Sequence, residues 1–205
     1  MKPAYWDEAC AALSERDTIM AAIIASRGTI HLMPRGDPFT TLARSIVGQQ
    51  ISVKAAQSVW TRVETACRQM APLRVSRMRV ETLRNCGVSQ RKAEYLKDLA
   101  RRFHTGEVDP VHWASKDDEE IIAELVAVRG IGRWTAEMFL IFNLLRPDVL
   151  PVDDLGLVRG IEKNYRNGEN VSRSEAQRLG ESWRPWRTVA TWYLWRSLEP
   201  GTAEI

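Results

Sequence analysis

Two short stretches hold the residues best suited to chemistry. The run Leu125-Val126-Ala127-Val128-Arg129-Gly130-Ile131-Gly132-Arg133-Trp134-Thr135-Ala136 reads as a helix, a glycine turn and a second helix. Backbone N–H groups at the N-terminus of such a second helix, with the local dipole, favour an anion such as a phosphate. Pro151-Val152-Asp153-Asp154 then delivers two carboxylates soon after that helix ends. Gly-x-Gly also occurs as a mere packing corner, so the hairpin alone leaves both readings open.

The elements around these stretches are helical almost throughout. Ser115 is placed to cap a helix opening on Asp117, Asp118, Glu119 and Glu120, whose acids suit the positive end of the dipole. Ile121, Ile122, Leu125 and Val128 recur at helical spacing, Gly130 ends the helix, and Ile131 turns inward as an apolar anchor. The next helix is expected from about Arg133 to Leu145, with Trp134, Met138, Ile141 and Leu145 on one face. Upstream, short helices over Tyr5–Leu13 and Asp17–Ile24 precede a loop. Asp37-Pro38 starts a helix to Gly48, and Ser52 caps one reaching Cys67. Ser76–Cys86 reads as one helix, and Ser89 caps another through Phe103. After Pro147 and Pro151, helices are expected over Asp154–Asn164, Ser172–Trp183 and Pro185–Leu198. No alternating strand pattern occurs, which predicts an all-α fold of roughly ten helices.

Composition narrows the chemistry. The 205 residues are 44% apolar, enough for a sizeable core, and the net charge of +3 permits a polyanionic partner without demanding one. Basic residues form only short groups, Arg74 to Arg79 and Arg91-Lys92. Cys10, Cys67 and Cys86 are far apart and odd in number, which suggests reduced thiols and an intracellular protein. Three cysteines cannot ligate an iron–sulfur cluster through four thiolates, and His31, His104 and His112 lack zinc-ligand spacing. The N-terminus, polar by Asp7 and Glu8, is not that of a signal peptide, and no apolar run reaches transmembrane length. Of the eight tryptophans, Trp183, Trp186, Trp192 and Trp195 lie late in the chain. Most should be core, leaving one or two to line a slot for a flat ring.

Four motifs in order carry a family resemblance: Gly48-Gln49-Gln50-Ile51-Ser52, Gly87-Val88-Ser89 ahead of Arg91-Lys92-Ala93, Val128 to Ala136, and Pro151 to Gly156. Together they resemble the helix-hairpin-helix (HhH-GPD) DNA glycosylases of base excision repair, and within them the 3-methyladenine DNA glycosylase II branch. Trp183-Arg184-Pro185-Trp186-Arg187 is similar to that branch too. The resemblance spans about residues 38 to 197. It implies one glycosylase domain over 1–205 with two helical lobes and an interlobe cleft. The middle lobe would run from about 38 to 148, and the second would combine about 1–37 with 149–205.

The resemblance also implies roles. Duplex phosphate would be gripped by the hairpin at Val128, Gly130, Ile131, Gly132, Arg133 and Thr135, with Lys92 and Arg187 as further phosphate contacts. Gln49, Gln50 and Ile51 would fill the gap left by an extruded nucleotide, Gln50 being the best match to the wedge. Asp154 would stabilise positive charge on the deoxyribose as the base departs. Asp153 is the runner-up, assigned here as the cap of the following helix. Bifunctional relatives carry a lysine where this chain has Trp134, so water rather than an amine is the expected nucleophile. Trp134, Met138, Leu155 and Trp195 would line the base pocket, with Met138 and Leu155 departing from aromatic residues of some relatives. The expected function is a monofunctional glycosylase that removes alkylated purines, such as 3-methyladenine, from double-stranded DNA and so initiates repair. The alternatives are a non-catalytic helix-hairpin-helix DNA-binding module and a bifunctional glycosylase/lyase. No cofactor is required, although the family admits a Na or K ion on hairpin carbonyls when DNA is bound. A monomer without membrane association is expected, acting at the nucleoid in the cytoplasm of a bacterium or in a eukaryotic nucleus.

Overall fold

The computed structural model describes residues 2–28 and 30–199. Among them the chain is all-α, without a strand. The helices are α1 (Trp6–Arg16), α2 (Thr18–Arg27), α3 (Pro38–Gly48), α4 (Val53–Cys67), α5 (Pro72–Arg77), α6 (Val80–Asn85), α7 (Gln90–Thr105), α8 (Asp118–Val126), α9 (Arg133–Phe142), α10 (Leu155–Tyr165), α11 (Arg173–Glu181) and α12 (Arg187–Ser197). A 3-10 turn, Pro110–Ser115, lies between α7 and α8.

The chain divides into two compact units. The central unit is Arg35–Phe139, and the terminal unit joins the residues up to Pro34 to those from Leu140 onward. One boundary therefore falls inside α9 rather than near 148. The last turn of α9 packs among aromatic residues of the terminal unit: Phe142 stacks on Trp195 at 5.5 Å and meets Trp192 edge-on at 6.3 Å. The helix also stops at Phe142, short of the expected Leu145. Leu145 turns to a φ of +54°, and the Arg146 N–H returns to the carbonyl of Leu140.

In the central unit α3 starts on Asp37, whose carboxylate accepts the Thr40 N–H at 2.9 Å, with Pro38 in the first turn. Its buried residues Phe39, Leu42, Ala43, Ile46 and Val47 form the stripe that packs on α4 and α7. Helix α7 also packs against α5 and α6. The expected single helix over Ser76–Cys86 is in fact interrupted between α5 and α6. Lys97 Nζ, on α7, takes the carbonyls of Ser76 and Met78, so those groups are satisfied without a continuous helix ladder. An edge-to-face series, Phe39–Phe103–Trp113–Phe139, runs through this core at centroid separations of 5.4, 6.4 and 5.4 Å.

In the terminal unit α1 packs on α2 and α12, and α12 packs on α10. Trp6, Leu13, Met20, Trp183, Tyr193 and Leu194 are buried there. Asp17 is its main polar knot. One carboxylate oxygen caps α2 by accepting the N–H groups of Ile19 and Met20, at 3.0 and 2.9 Å. The other accepts the Tyr165 hydroxyl at 2.6 Å and the Trp183 Nε1–H at 3.2 Å. Burial, reinforced by the Asp17 charge, pushes the Tyr165 phenol upward in pKa and keeps it a donor at every working pH. Asp17→Ala removes a cap and leaves two donors without their acceptor, so it should cost roughly 2–4 kcal/mol in urea denaturation. A loss below about 0.5 kcal/mol, the usual range for an ordinary surface position, would contradict this assignment.

Candidate functional site

The central unit carries the hairpin. Helix α8 is capped by Asp117 rather than Ser115: Asp117 accepts the Glu120 N–H, and Glu120 accepts the Asp117 N–H, both at 2.8 Å. Ser115 is unavailable because its hydroxyl closes the preceding 3-10 turn on the His112 carbonyl. The helix ends at Val126, earlier than a stop at Gly130 would place it. Val128 and Ile131 are buried and anchor the turn from within. Gly130 adopts a φ of +87°, and a β-carbon there would collide with the ring of Tyr95. Two independent constraints thus require glycine at that position. Gly132 faces open space. Ala136 donates to the Gly132 carbonyl, so the amides of the first turn, including those of Arg133 and Thr135, lie at the helix N-terminus.

One stripe of α7 supports this turn and the loop that precedes α4. Lys92, Tyr95 and Asp98 recur every three residues along α7. Asp98 accepts the Arg129 N–H at 3.0 Å, fixing the turn one residue before Gly130. Lys92 Nζ donates to the carbonyls of Val47, at 2.9 Å, and Gln49. Gln49 in turn donates its side-chain amide to the Gly130 carbonyl at 2.8 Å. Gln50, exposed and at a φ of +58°, and Ile51, 40% exposed, form the tip of the loop. Of the three expected wedge residues, then, Gln49 faces the hairpin while Gln50 and Ile51 face outward.

The cationic side chains assigned to phosphate are committed elsewhere. Arg133 holds Glu119 through both terminal nitrogens and Glu137 through Nε at 3.0 Å. Its pairing with Glu119 raises its pKa further. Lys92 grips carbonyls, and burial lowers its pKa. Arg187 makes a two-pronged pair with Asp148, at 2.7 and 3.0 Å. Arg133 and Arg187 thus pair with carboxylates, while Lys92 satisfies carbonyls at and beyond the end of α3.

The terminal unit carries the acidic pair, and here the expected division of labour changes. Asp154, not Asp153, is the N-cap of α10: Asp154 Oδ1 accepts the Leu157 N–H at 2.8 Å. The same oxygen accepts the Trp195 Nε1–H at 2.8 Å. Asp153 is exposed and pairs with Arg173 at 2.8 Å. The Asp154 backbone, extended at φ −81° and ψ 119°, aims its side chain at the first turn of α10, which is why the second residue takes the cap. Gly156 makes room for the arrangement, since a β-carbon there would stand 2.9 Å from both Asp154 Oδ1 and the Trp195 indole. Trp195 is also stacked face-on with Phe142, at an interplanar angle of 11°.

The expected pocket residues separate accordingly. Trp134, 49% exposed, and Met138, half-buried, follow one another by a turn on the central-unit part of α9. Trp195 is joined to Asp154, whereas Leu155 is 70% exposed at the start of α10. Sequence reasoning missed Tyr95, Asp98, Gly156 and Phe142. Asp98 did leave a signal, as an acid between the apolar positions Leu96 and Leu99 of a helix face.

Comparison with known proteins agrees with this architecture. The model of the HhH-GPD superfamily base excision DNA repair proteins matches residues 43–185, and the chain belongs to that superfamily. It is 34% identical over 169 residues to DNA-3-methyladenine glycosylase 1 of Schizosaccharomyces pombe, covering 80% of this chain and 74% of the relative. Among solved structures, a DNA-3-methyladenine glycosidase from Bacillus halodurans superposes with a TM-score of 0.85 at 37% identity, over 91% of this chain and 86% of that one. The Schizosaccharomyces pombe 3-methyladenine DNA glycosylase in complex with abasic DNA gives a TM-score of 0.79 at 32% identity, over 93% and 96%.

Asp98 yields a pH prediction. Burial alone would raise its carboxyl pKa, but the Arg129 N–H and the guanidinium groups of Arg101 and Arg102 outweigh burial and hold it below the usual carboxylate range. The folded state therefore binds fewer protons than the unfolded chain, whose aspartates titrate near about 3.9. The stabilisation is complete above that value and disappears as pH falls through the depressed folded value. Asp98→Asn should lower stability at neutral pH and flatten the acid limb of a melting-temperature profile. An acid limb as steep as that of the unsubstituted protein would assign the acid sensitivity to other groups.

Proposed function

We propose that this protein is a monofunctional DNA glycosylase that extrudes alkylated purines from duplex DNA and hydrolyses the N-glycosidic bond, initiating base excision repair. The observation that carries the reading is the fixed carboxylate of Asp154. Two donors on Oδ1, the Leu157 N–H and the Trp195 indole, set the plane of the group before any substrate arrives. A preset negative charge suits a transition state in which the deoxyribose becomes oxocarbenium-like. Capping and catalysis are compatible, because an ionised carboxylate has several lone-pair sites.

An N3- or N7-alkylated purine is cationic. The electrons of the C1′–N bond leave with the base, which departs neutral, and a water oxygen bonds to C1′ after losing a proton. The product is an abasic site in an unbroken strand. The relative from Schizosaccharomyces pombe was solved with abasic DNA, which accords with such a product. With Trp134 in place of a lysine, that position offers no amine to form a Schiff base, and Arg133 stays protonated. Trp134 offers an exposed aromatic face for an electron-poor base.

The hairpin supplies the phosphate grip through amides at the start of α9, and Gln50 and Ile51 supply the residues that fill the gap. Asp153 contributes through its pair with Arg173 rather than through chemistry. The reading needs no cofactor. A Na or K ion bound with DNA would draw on the hairpin carbonyls, of which that of Gly130 already accepts the Gln49 amide and that of Val128 the Ile131 N–H. We also expect a monomer that works wherever the cell keeps its DNA.

The test is single-turnover base release from a duplex carrying 7-methylguanine. Asp154→Asn should slow release by roughly 100- to 1,000-fold while duplex binding persists. Asp153→Asn should release at close to the unsubstituted rate, and borohydride should trap no covalent complex. Normal release by Asp154→Asn would reduce that residue to a helix cap. Binding without release by the unsubstituted protein would leave a DNA-binding module.

A further inference from the structure

The three α7 anchors act on different parts of the central unit. Tyr95 and Asp98 hold the Gly130 turn, whereas Lys92 holds the loop after α3. Val47 lies in the last turn of α3, where helix carbonyls lack partners of their own, and a cation there also complements the dipole. The second bond goes to the carbonyl of Gln49, immediately before the left-handed φ of Gln50. A residue with a β-carbon keeps such a conformation only where its surroundings over-determine it. Gln49 completes the arrangement: α7 grips it by its backbone, and it grips Gly130 with its side chain.

We propose that Lys92 is a positioning residue that ties the Gln49–Gln50–Ile51 loop to the Gly130 hairpin, so that backbone grip and filling of the vacated base position are delivered by one rigid part. The proposal rests on the glycosylase reading above. Extruding a nucleotide costs unstacking energy, and the residues entering the gap must offset it. A loop that had to order itself at that moment would spend part of the offset on its own conformational entropy. Lys92 removes that cost in the DNA-free protein. Lys92 is half-buried and its ammonium already engaged by two carbonyls, which separates it from the exposed lysines that meet phosphate as point charges.

Lys92→Met keeps the stem and removes the ammonium, and Lys92→Arg restores a cation with several donors. The readouts are amide hydrogen exchange over residues 48–52 without DNA, single-turnover release from the 7-methylguanine duplex, and affinity for undamaged duplex. Lys92→Met should lose exchange protection in the loop and slow release by roughly 10- to 100-fold, the scale of a small misplacement. Affinity for undamaged duplex should stay unchanged, because Tyr95 and Asp98 still hold the hairpin. Lys92→Arg should recover both protection and rate. Gln49→Met, which breaks the tie from its other end, should reproduce the slow release, and it keeps the test decisive if Lys92→Met folds poorly. Unchanged loop protection would overturn the proposal, as would lost protection with an unchanged rate. An equal loss of affinity for undamaged duplex would make Lys92 a phosphate contact instead. If the unsubstituted protein releases no base, the glycosylase reading fails, while the exchange experiment still judges whether Lys92 holds the loop.

Discussion

The carbonyls of Val47 and Gln49 and the N–H of Arg129 stand at or beyond helix ends, where no helix ladder satisfies them, and α7 supplies a partner for each. An unanswered buried backbone group costs about as much as a lost hydrogen bond, so a turn without such partners would be free to choose another shape. Because Lys92, Tyr95 and Asp98 share one face of one helix, the two turns inherit the rigidity of α7. The loop tip at Gln50 and the amides before α9 are thereby both tied to α7. A sixteen-residue helix can do this because its own face is buried against α3, α5 and α6.

The terminal unit solves a different problem, that of orienting a charged group. The Asp154 carboxylate is partly buried, so its charge needs compensation. A backbone N–H from the first turn of α10 and an indole N–H from α12 provide it. Both donors meet Oδ1, so they fix the orientation of the carboxylate. Gly156 is the steric condition for this geometry, and Phe142 is stacked on the indole. Capping, packing and the proposed chemistry are thus one arrangement of the same atoms.

Arginines show how a basic composition can mislead. Arg133 and Arg187 carry the right charge for phosphate, yet the structure uses them to pin acidic partners: Glu119 and Glu137 in one case, Asp148 in the other. Backbone dipoles at a helix N-terminus favour an anion through the shape of the turn rather than through a side-chain charge. Gly130 supplies that turn, since its φ of +87° and the adjoining Tyr95 ring both require glycine.

Periodicity and capping residues were enough to read the all-α class, most helix starts and the ordered motifs, because they depend on spacing of a few residues along the chain. Asp37 and Pro38, Ser52, Ser89 and Ser172 announce their helices without help from distant parts. Only the tertiary structure decided which aspartate caps α10, where α5 and α6 separate, and which cations are already engaged. Each of those outcomes turns on a partner far away in sequence: Trp195 for Asp154, Lys97 for Ser76 and Met78, Asp148 for Arg187. A local pattern shows what a backbone segment can do; a hydrogen bond closed across the fold selects which of those options it takes.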